Sequence, residues 1–181
     1  ATGLLYLERP ALLTGEYYHT LEVSPDAASP RWSSDNRYAS YTIGGGRIAH
    51  IVAVETDSVR TVARIDGVGL VLSPDGAHAA YFSVRETPEL RAARVTADSL
   101  LRANEFRAFS QQRQAILRLE RQLARVRLRT IATGQERELE VPDVAKSGLA
   151  FSPDGRVLYF IGAARGDHAH FLHLRLRQHG H

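Results

Sequence analysis

The residue types able to do chemistry fall into a few groups. Asp35, Asp75 and Asp154 recur in one local setting, the first in Ser33-Ser34-Asp35-Asn36 and the others in Ser-Pro-Asp-Gly at 73–76 and 152–155. Cation binding needs several oxygens converging on one point, and these aspartates belong to separate turns. The expected role of each is to accept N–H groups of its own turn. Five histidines sit late in the chain: His168, His170, His173, His179 and His181. On a strand, residues 168 and 170 share one face and 173 takes the other, so only two converge without further folding. Gly44-Gly45-Gly46 lacks the Lys-Ser/Thr sequel of a phosphate loop and reads as a hairpin turn. Neither a Gly-x-Ser-x-Gly elbow nor a His-Glu-x-x-His zinc motif occurs. With no cysteine there is no disulfide, thiolate zinc site or cysteine nucleophile. No catalytic residue, metal site or cofactor is expected.

The functional candidate is a basic stretch. Residues 91–129 carry ten Arg against three acids, Asp98, Glu105 and Glu120. Phe109, Ile116 and Leu123 fall seven apart with Leu119 beside them, the spacing of one helix face. A helix is expected over 98–123, within an insertion spanning 96–123, with N-cap residues at 96–99 and a break near Asn104 or Ser110. Its candidate contact residues are Phe106, Phe109, Arg113, Ile116, Arg118, Leu119, Arg121 and Leu123. Such a helix packs on its own body, docks on another protein or a second copy, or lies on an anionic membrane surface or nucleic acid. Phe106 and Phe109 belong to the apolar stripe, which leaves no aromatic platform for bases, and the insertion has no interfacial Trp or Tyr. Other proteins or copies are the expected partners. Nucleic acid is disfavoured and a membrane surface is secondary.

The elements around this stretch form a repeat. In each copy a large apolar residue (Trp32, Leu72, Phe151) precedes the turn and a β-rich run follows it, at 37–43, 77–84 and 156–161. Pro74 and Pro153 preset φ, Asp35, Asp75 and Asp154 accept turn hydrogen bonds, and Asn36, Gly76 and Gly155 supply a left-handed residue. The serines at 33, 73 and 152 are 40 and 79 positions apart. That is one period of the roughly 40–45 residues of a four-stranded propeller blade, then one period plus an insertion. The expected fold is mainly β: an incomplete or open propeller-like array of four-stranded antiparallel blades with one long helical insertion. Residues 1–31 are assigned to a partial blade and connector, 32–67 to a blade, 68–145 to the interrupted blade and 146–181 to a blade with one strand missing. A closed propeller needs at least four blades, so either the edges pair with other protein or the chain is a fragment of a longer polypeptide.

The unit of Phe151-Ser152-Pro153-Asp154-Gly155 followed by Arg156 to Ile161 resembles the TolB-type, WD-like β-propeller repeat. Residues 127–139, a strand, Thr-Gly-Gln-Glu-Arg and another strand, are similar to the third and fourth strands of those blades. Such repeats occur in periplasmic translocation proteins and in the non-catalytic propeller of prolyl-oligopeptidase-like serine peptidases. The resemblance covers residues 30–176 outside the insertion and specifies architecture more than role. Together with the incomplete blades, the missing catalytic constellation and the basic helix, it leads to the expectation of a non-enzymatic interaction or scaffold subunit, periplasmic or otherwise extracytoplasmic, using blade edges and the basic helix as contact surfaces. The alternative it implies is a piece of the substrate-gating propeller of a prolyl-oligopeptidase-like peptidase, whose catalytic domain lies outside this chain. The 181-residue length, the 44% hydrophobic content and the absence of a long apolar run fit a globular domain without a transmembrane helix. The excess of Arg over the single Lys146 reads as composition bias.

Overall fold

A computed structural model describes residues 5–8, 20–24, 27–55, 59–164 and 169–176, with side chains from residue 27 onward. A short hairpin pairs β1 (Leu5–Glu8) with β2 (Thr20–Ser24). The first sheet follows in simple order, β3 (Ala28–Trp32), β4 (Tyr38–Ile43), β5 (Ile48–Val54) and β6 (Val59–Asp66). The second contains β7 (Val68–Leu72), β8 (His78–Val84), β9 (Ala124–Thr130) and β10 (Glu136–Leu139), with helices α1 (Pro88–Arg102) and α2 (Phe106–Leu123) between β8 and β9. The third has β11 (Ala145–Phe151), β12 (Val157–Ala163) and β13 (His170–Arg175). Every pairing is antiparallel, and the described sheets form no closed barrel. This is an open propeller array with a helical insertion.

Alternation along each second strand explains the stacking. Ala79 and Tyr81 turn toward the first sheet, joining Ala49, Ile51, Ala63 and Ile65 in one buried cluster. Ala80 and Phe82, one residue out of phase, turn the other way and meet Leu158 and Phe160 of the third sheet. Residue n of β8 therefore plays the part of residue n+79 in β12, the offset already present in the turns. The second sheet is apolar on both faces because each face meets a neighbouring sheet.

All three turns use one hydrogen-bond circuit. Ser73 Oγ donates to Asp75 Oδ1 at 2.6 Å, that oxygen accepts the Ala77 N–H at 3.0 Å, and Ser73 Oγ accepts the His78 N–H at 2.8 Å. Ser33, Asp35, Arg37 and Tyr38 repeat it, as do Ser152, Asp154, Arg156 and Val157. Asn36, Gly76 and Gly155 take φ of 57°, 65° and 69°. Burial alone would raise the Asp35 and Asp75 carboxyls, but hydrogen bonds from Ser33 and Ser73 and from backbone N–H groups outweigh it and hold both below the ordinary value. Asp154 is likewise lowered, first by the Ser152 hydroxyl. Ser73 is fully buried, so Ser73→Ala strands the His78 N–H and is expected to cost about 1–3 kcal/mol in urea unfolding.

Several boundaries differ from expectation. β3 begins at Ala28, where a Pro-containing connector was expected; Pro30 is accommodated because β3 is an edge strand with an irregular register and Ser29 at φ 54°. The two strands expected within 127–139 lie at Ala124–Thr130 and Glu136–Leu139. Gly44–Gly46 forms a single 3-10 turn. The helical insertion begins ten residues before 98, at Pro88. There Thr87 caps the helix by accepting the Leu90 N–H at 3.2 Å, and proline occupies a first-turn position where its missing N–H costs nothing.

Candidate interaction surface

The insertion is a helical hairpin whose base is tied to the blade, since Val84 and Ala124 still pair across β8 and β9. Asn104 at φ 59° turns the chain between α1 and α2, at one of the two expected break positions. Leu90, Ala97 and Ile116 are buried between the helices, with Val84, Ala93, Phe109, Leu119 and Leu123 packed around them. Gln112 Nε2 reinforces the pair by donating to the Ala93 carbonyl at 3.2 Å.

This placement corrects the expected contact face. Phe109, Ile116, Leu119 and Leu123 point into the hairpin's own core because the part of α1 before residue 98, unread in the sequence, supplies their partner through Leu90, Ala93 and Ala97. The exposed members of the set are Phe106, Arg113, Arg118 and Arg121. Phe106, Arg113, Leu117 and Arg121 are spaced seven, four and four apart and form one outward stripe, with Arg118 flanking it. Phe106 is 63% exposed and Leu117 37%. Among the described residues, no ion pair involves Arg102, Arg107, Arg113, Arg118 or Arg121.

Glu120 fixes the hairpin against the first sheet. Its carboxylate accepts Arg47 Nη2 at 2.6 Å and Arg94 Nη2 at 2.8 Å, and Arg94 also reaches Glu86 at 3.3 Å. Arg47 follows the turn between β4 and β5, Arg94 lies on α1 and Glu120 on α2, so one acid joins three elements. The stripe is therefore presented on an anchored support.

Other candidates do not assemble into a site. No group of three or more His, Asp or Glu placed to hold a metal occurs among the described residues. His170 and His173 are exposed on opposite faces of β13, while His168, His179 and His181 lie outside the described residues. Asp35, Asp75 and Asp154 with Asn36, Pro74, Gly76, Pro153 and Gly155 make the three separate turns already described. Lys146, the sole lysine, is buried and donates to the Val144 carbonyl at 2.8 Å. Burial pulls its pKa down, with Asp143 opposing and Arg125 adding to the shift.

His50 gives the sheet a titratable weak point. It stacks on Tyr41 at 5.2 Å between centroids, and both ring nitrogens are buried without a hydrogen-bond partner. Burial, then the charge of Arg64, lowers its pKa below 6.5. The unfolded chain takes up a proton below about pH 6.5 that the folded chain resists, so stability is expected to fall as pH drops toward the folded value. His50→Phe keeps the stack and is expected to flatten that part of the stability profile, measured by urea unfolding from pH 7.5 to 5.

No protein-family model matches the chain, and no curated protein matches it significantly. Solved structures do. TolB from Acinetobacter baumannii aligns at TM-score 0.53 and 15% identity, over 90% of this chain and 33% of that one. The β-propeller domain of the Trilobed protease from Pyrococcus furiosus, described as having an open velcro topology, aligns at TM-score 0.52 and 14% identity, over 82% of this chain and 38% of that one. A prolyl endopeptidase aligns at TM-score 0.61 and 12% identity, over 95% of this chain and 24% of that one. The fold is thus TolB-like and propeller-like. This chain spans between about a quarter and two fifths of those proteins' lengths.

Proposed function

We propose that this chain is a non-catalytic propeller module that acts by protein contact, as an accessory or scaffold part of a larger extracytoplasmic assembly. The observation that carries the reading is the outward stripe of Phe106, Arg113, Leu117 and Arg121 on a hairpin whose inner apolar side is already satisfied. An aromatic anchor ringed by guanidinium groups is the composition enriched where proteins meet. No helix among the described residues is long and apolar enough to cross a membrane. A photo-reactive phenylalanine analogue at position 106 is expected to cross-link to one protein in the native source. Cross-links at many proteins in equal yield, or none, would oppose the reading.

A second reading rests on the alignment with the prolyl endopeptidase, which covers 95% of this chain. Here the chain is part of a propeller that gates substrate for a serine peptidase, and catalysis belongs to another domain. A coding sequence that continues into further blades and a Gly-x-Ser-x-Gly segment would select this reading, and a stop codon directly after His181 would select the first.

A further inference from the structure

Lys146 is a residue that the repeat does not require. Gly69 and Gly148 both take a positive φ, 68° and 58°, at the register shifts of β7 and β11, and they stand 79 positions apart like the turn serines. Lys146 therefore holds in the third sheet the place of Gly67 in the second, where even a Cβ would meet the Tyr81 ring at 2.6 Å. A glycine suffices for the blade at that point, yet the third sheet buries a lysine there, 2% exposed. Among the described residues the Val144 carbonyl is the one acceptor of its ammonium group, so two of the three N–H groups lack a partner. Burying a cation in that condition costs free energy, and an anion beside it would offset the cost.

The space for such an anion adjoins the lysine. A cleft of about 450 Å³ opens between the base of the hairpin, at Leu123 and Arg125, and the third sheet, at Asp143, Val144, Ala163 and Ala164. That volume lies in the range of small-molecule sites. The Val144 N–H donates to the Pro142 carbonyl at 2.9 Å, a three-residue turn that leaves Asp143 exposed at the rim while the Val144 carbonyl accepts from Lys146. Burial lowers the Lys146 pKa, and Asp143 and then Arg125 are the charges that act on it, so the three charged groups converge on one place. Arg125 is exposed and only loosely engaged, its Nε 3.9 Å from Glu138, which also faces Arg127.

We propose that this cleft binds a small monocarboxylate with an apolar body, its carboxylate between Lys146 and Arg125 and its body on Leu123, Ala163 and Ala164. The site is separate from the outward stripe of the hairpin and does not rest on the reading of the chain as an interaction module. Charge sets the selection. Lys146 and Arg125 against Asp143 leave one positive charge, which a single carboxylate neutralises and a phosphate dianion overfills. Leu123 and the two alanines offer no hydrogen-bonding side chain, which favours a hydrocarbon body over a hydroxylated one.

The test titrates 3-phenylpropionate into the full chain by calorimetry and follows Lys146 by NMR, where a chain with one lysine gives one side-chain ammonium signal. Saturable binding is expected, with the lysine signal moving at the same midpoint. The uncharged 3-phenylpropan-1-ol is expected to bind at least about tenfold more weakly. Lys146→Met is expected to cause a similar loss with an unchanged or raised melting temperature, because an apolar chain of similar length replaces a poorly paired buried charge. Arg125→Gln, at the exposed mouth, is expected to weaken binding about threefold or more, and it decides the matter if Lys146→Met does not fold. No binding by the native chain, equal binding of the alcohol, a lysine signal that stays in place, or binding indifferent to both substitutions overturns the proposal.

Discussion

Phe160→Ala is expected to destabilise the chain by about 3–5 kcal/mol, the range for deleting a buried aromatic ring from a packed core. Phe160 is 1% exposed and stands with Leu158, Val126 and Phe82 between the second and third sheets. The repeat register makes this prediction specific, because Phe160 occupies in β12 the place that Tyr81 holds in β8 and Tyr41 in β4. Its neighbour Tyr159 faces the other way and is 42% exposed. Tyr159→Ala is therefore expected to cost about 1 kcal/mol or less, and similar losses for the two would contradict the assigned faces.

Gly67→Ala is expected to cost about 2–3 kcal/mol through overpacking. Gly67 joins β6 to β7, and its N–H bonds the Arg47 carbonyl at 2.9 Å. A Cβ there would stand 2.6 Å from the Tyr81 ring and 2.8 Å from the Phe82 carbonyl oxygen. The ring can move by itself, but the carbonyl belongs to a central strand and moves only with its ladder. Burial, with a hydrogen bond to Glu136, pushes the Tyr81 hydroxyl up to about 12, so the ring sits where a charged phenolate is strongly disfavoured. A Gly67→Ala melt indistinguishable from the native one would show that the first two sheets are less tightly seated than described.

The parts of the fold legible in the sequence were those set by local chemistry. Ser-x-Asp followed by Gly or Asn forms its turn from hydrogen bonds within six residues, so three copies announced three hairpins and their spacing announced blades. The helix break at Asn104 was legible for the same reason, since Asn tolerates a left-handed conformation. The start of the first helix was hidden because Pro88, a first-turn residue after a Thr87 cap, reads equally well as the end of a strand. β3 was hidden because Pro30 argues against a strand unless the strand is known to lie at an edge.

The proposed contact surface was legible only by half. An apolar row at Phe109, Ile116 and Leu123 shows that something covers that face but does not name what does, and the answer was a helix from the same insertion. The Arg47–Glu120–Arg94 cluster joins residues up to 73 positions apart, and no local pattern encodes such a pair. What survives is the charged half: Arg113, Arg118 and Arg121 stand outward beside Phe106, on a hairpin held rigidly at its base.

The central claim is that this outward face, rather than any chemistry of the turns or histidines, carries the function. Native mass spectrometry of the complex isolated from its source, using the unaltered chain and the Arg113→Glu/Arg118→Glu/Arg121→Glu variant, tests it most directly. The account predicts a defined complex with the unaltered chain and the free chain alone with the variant, at unchanged melting temperature because none of the three arginines is buried or paired. An identical complex with both proteins would contradict it.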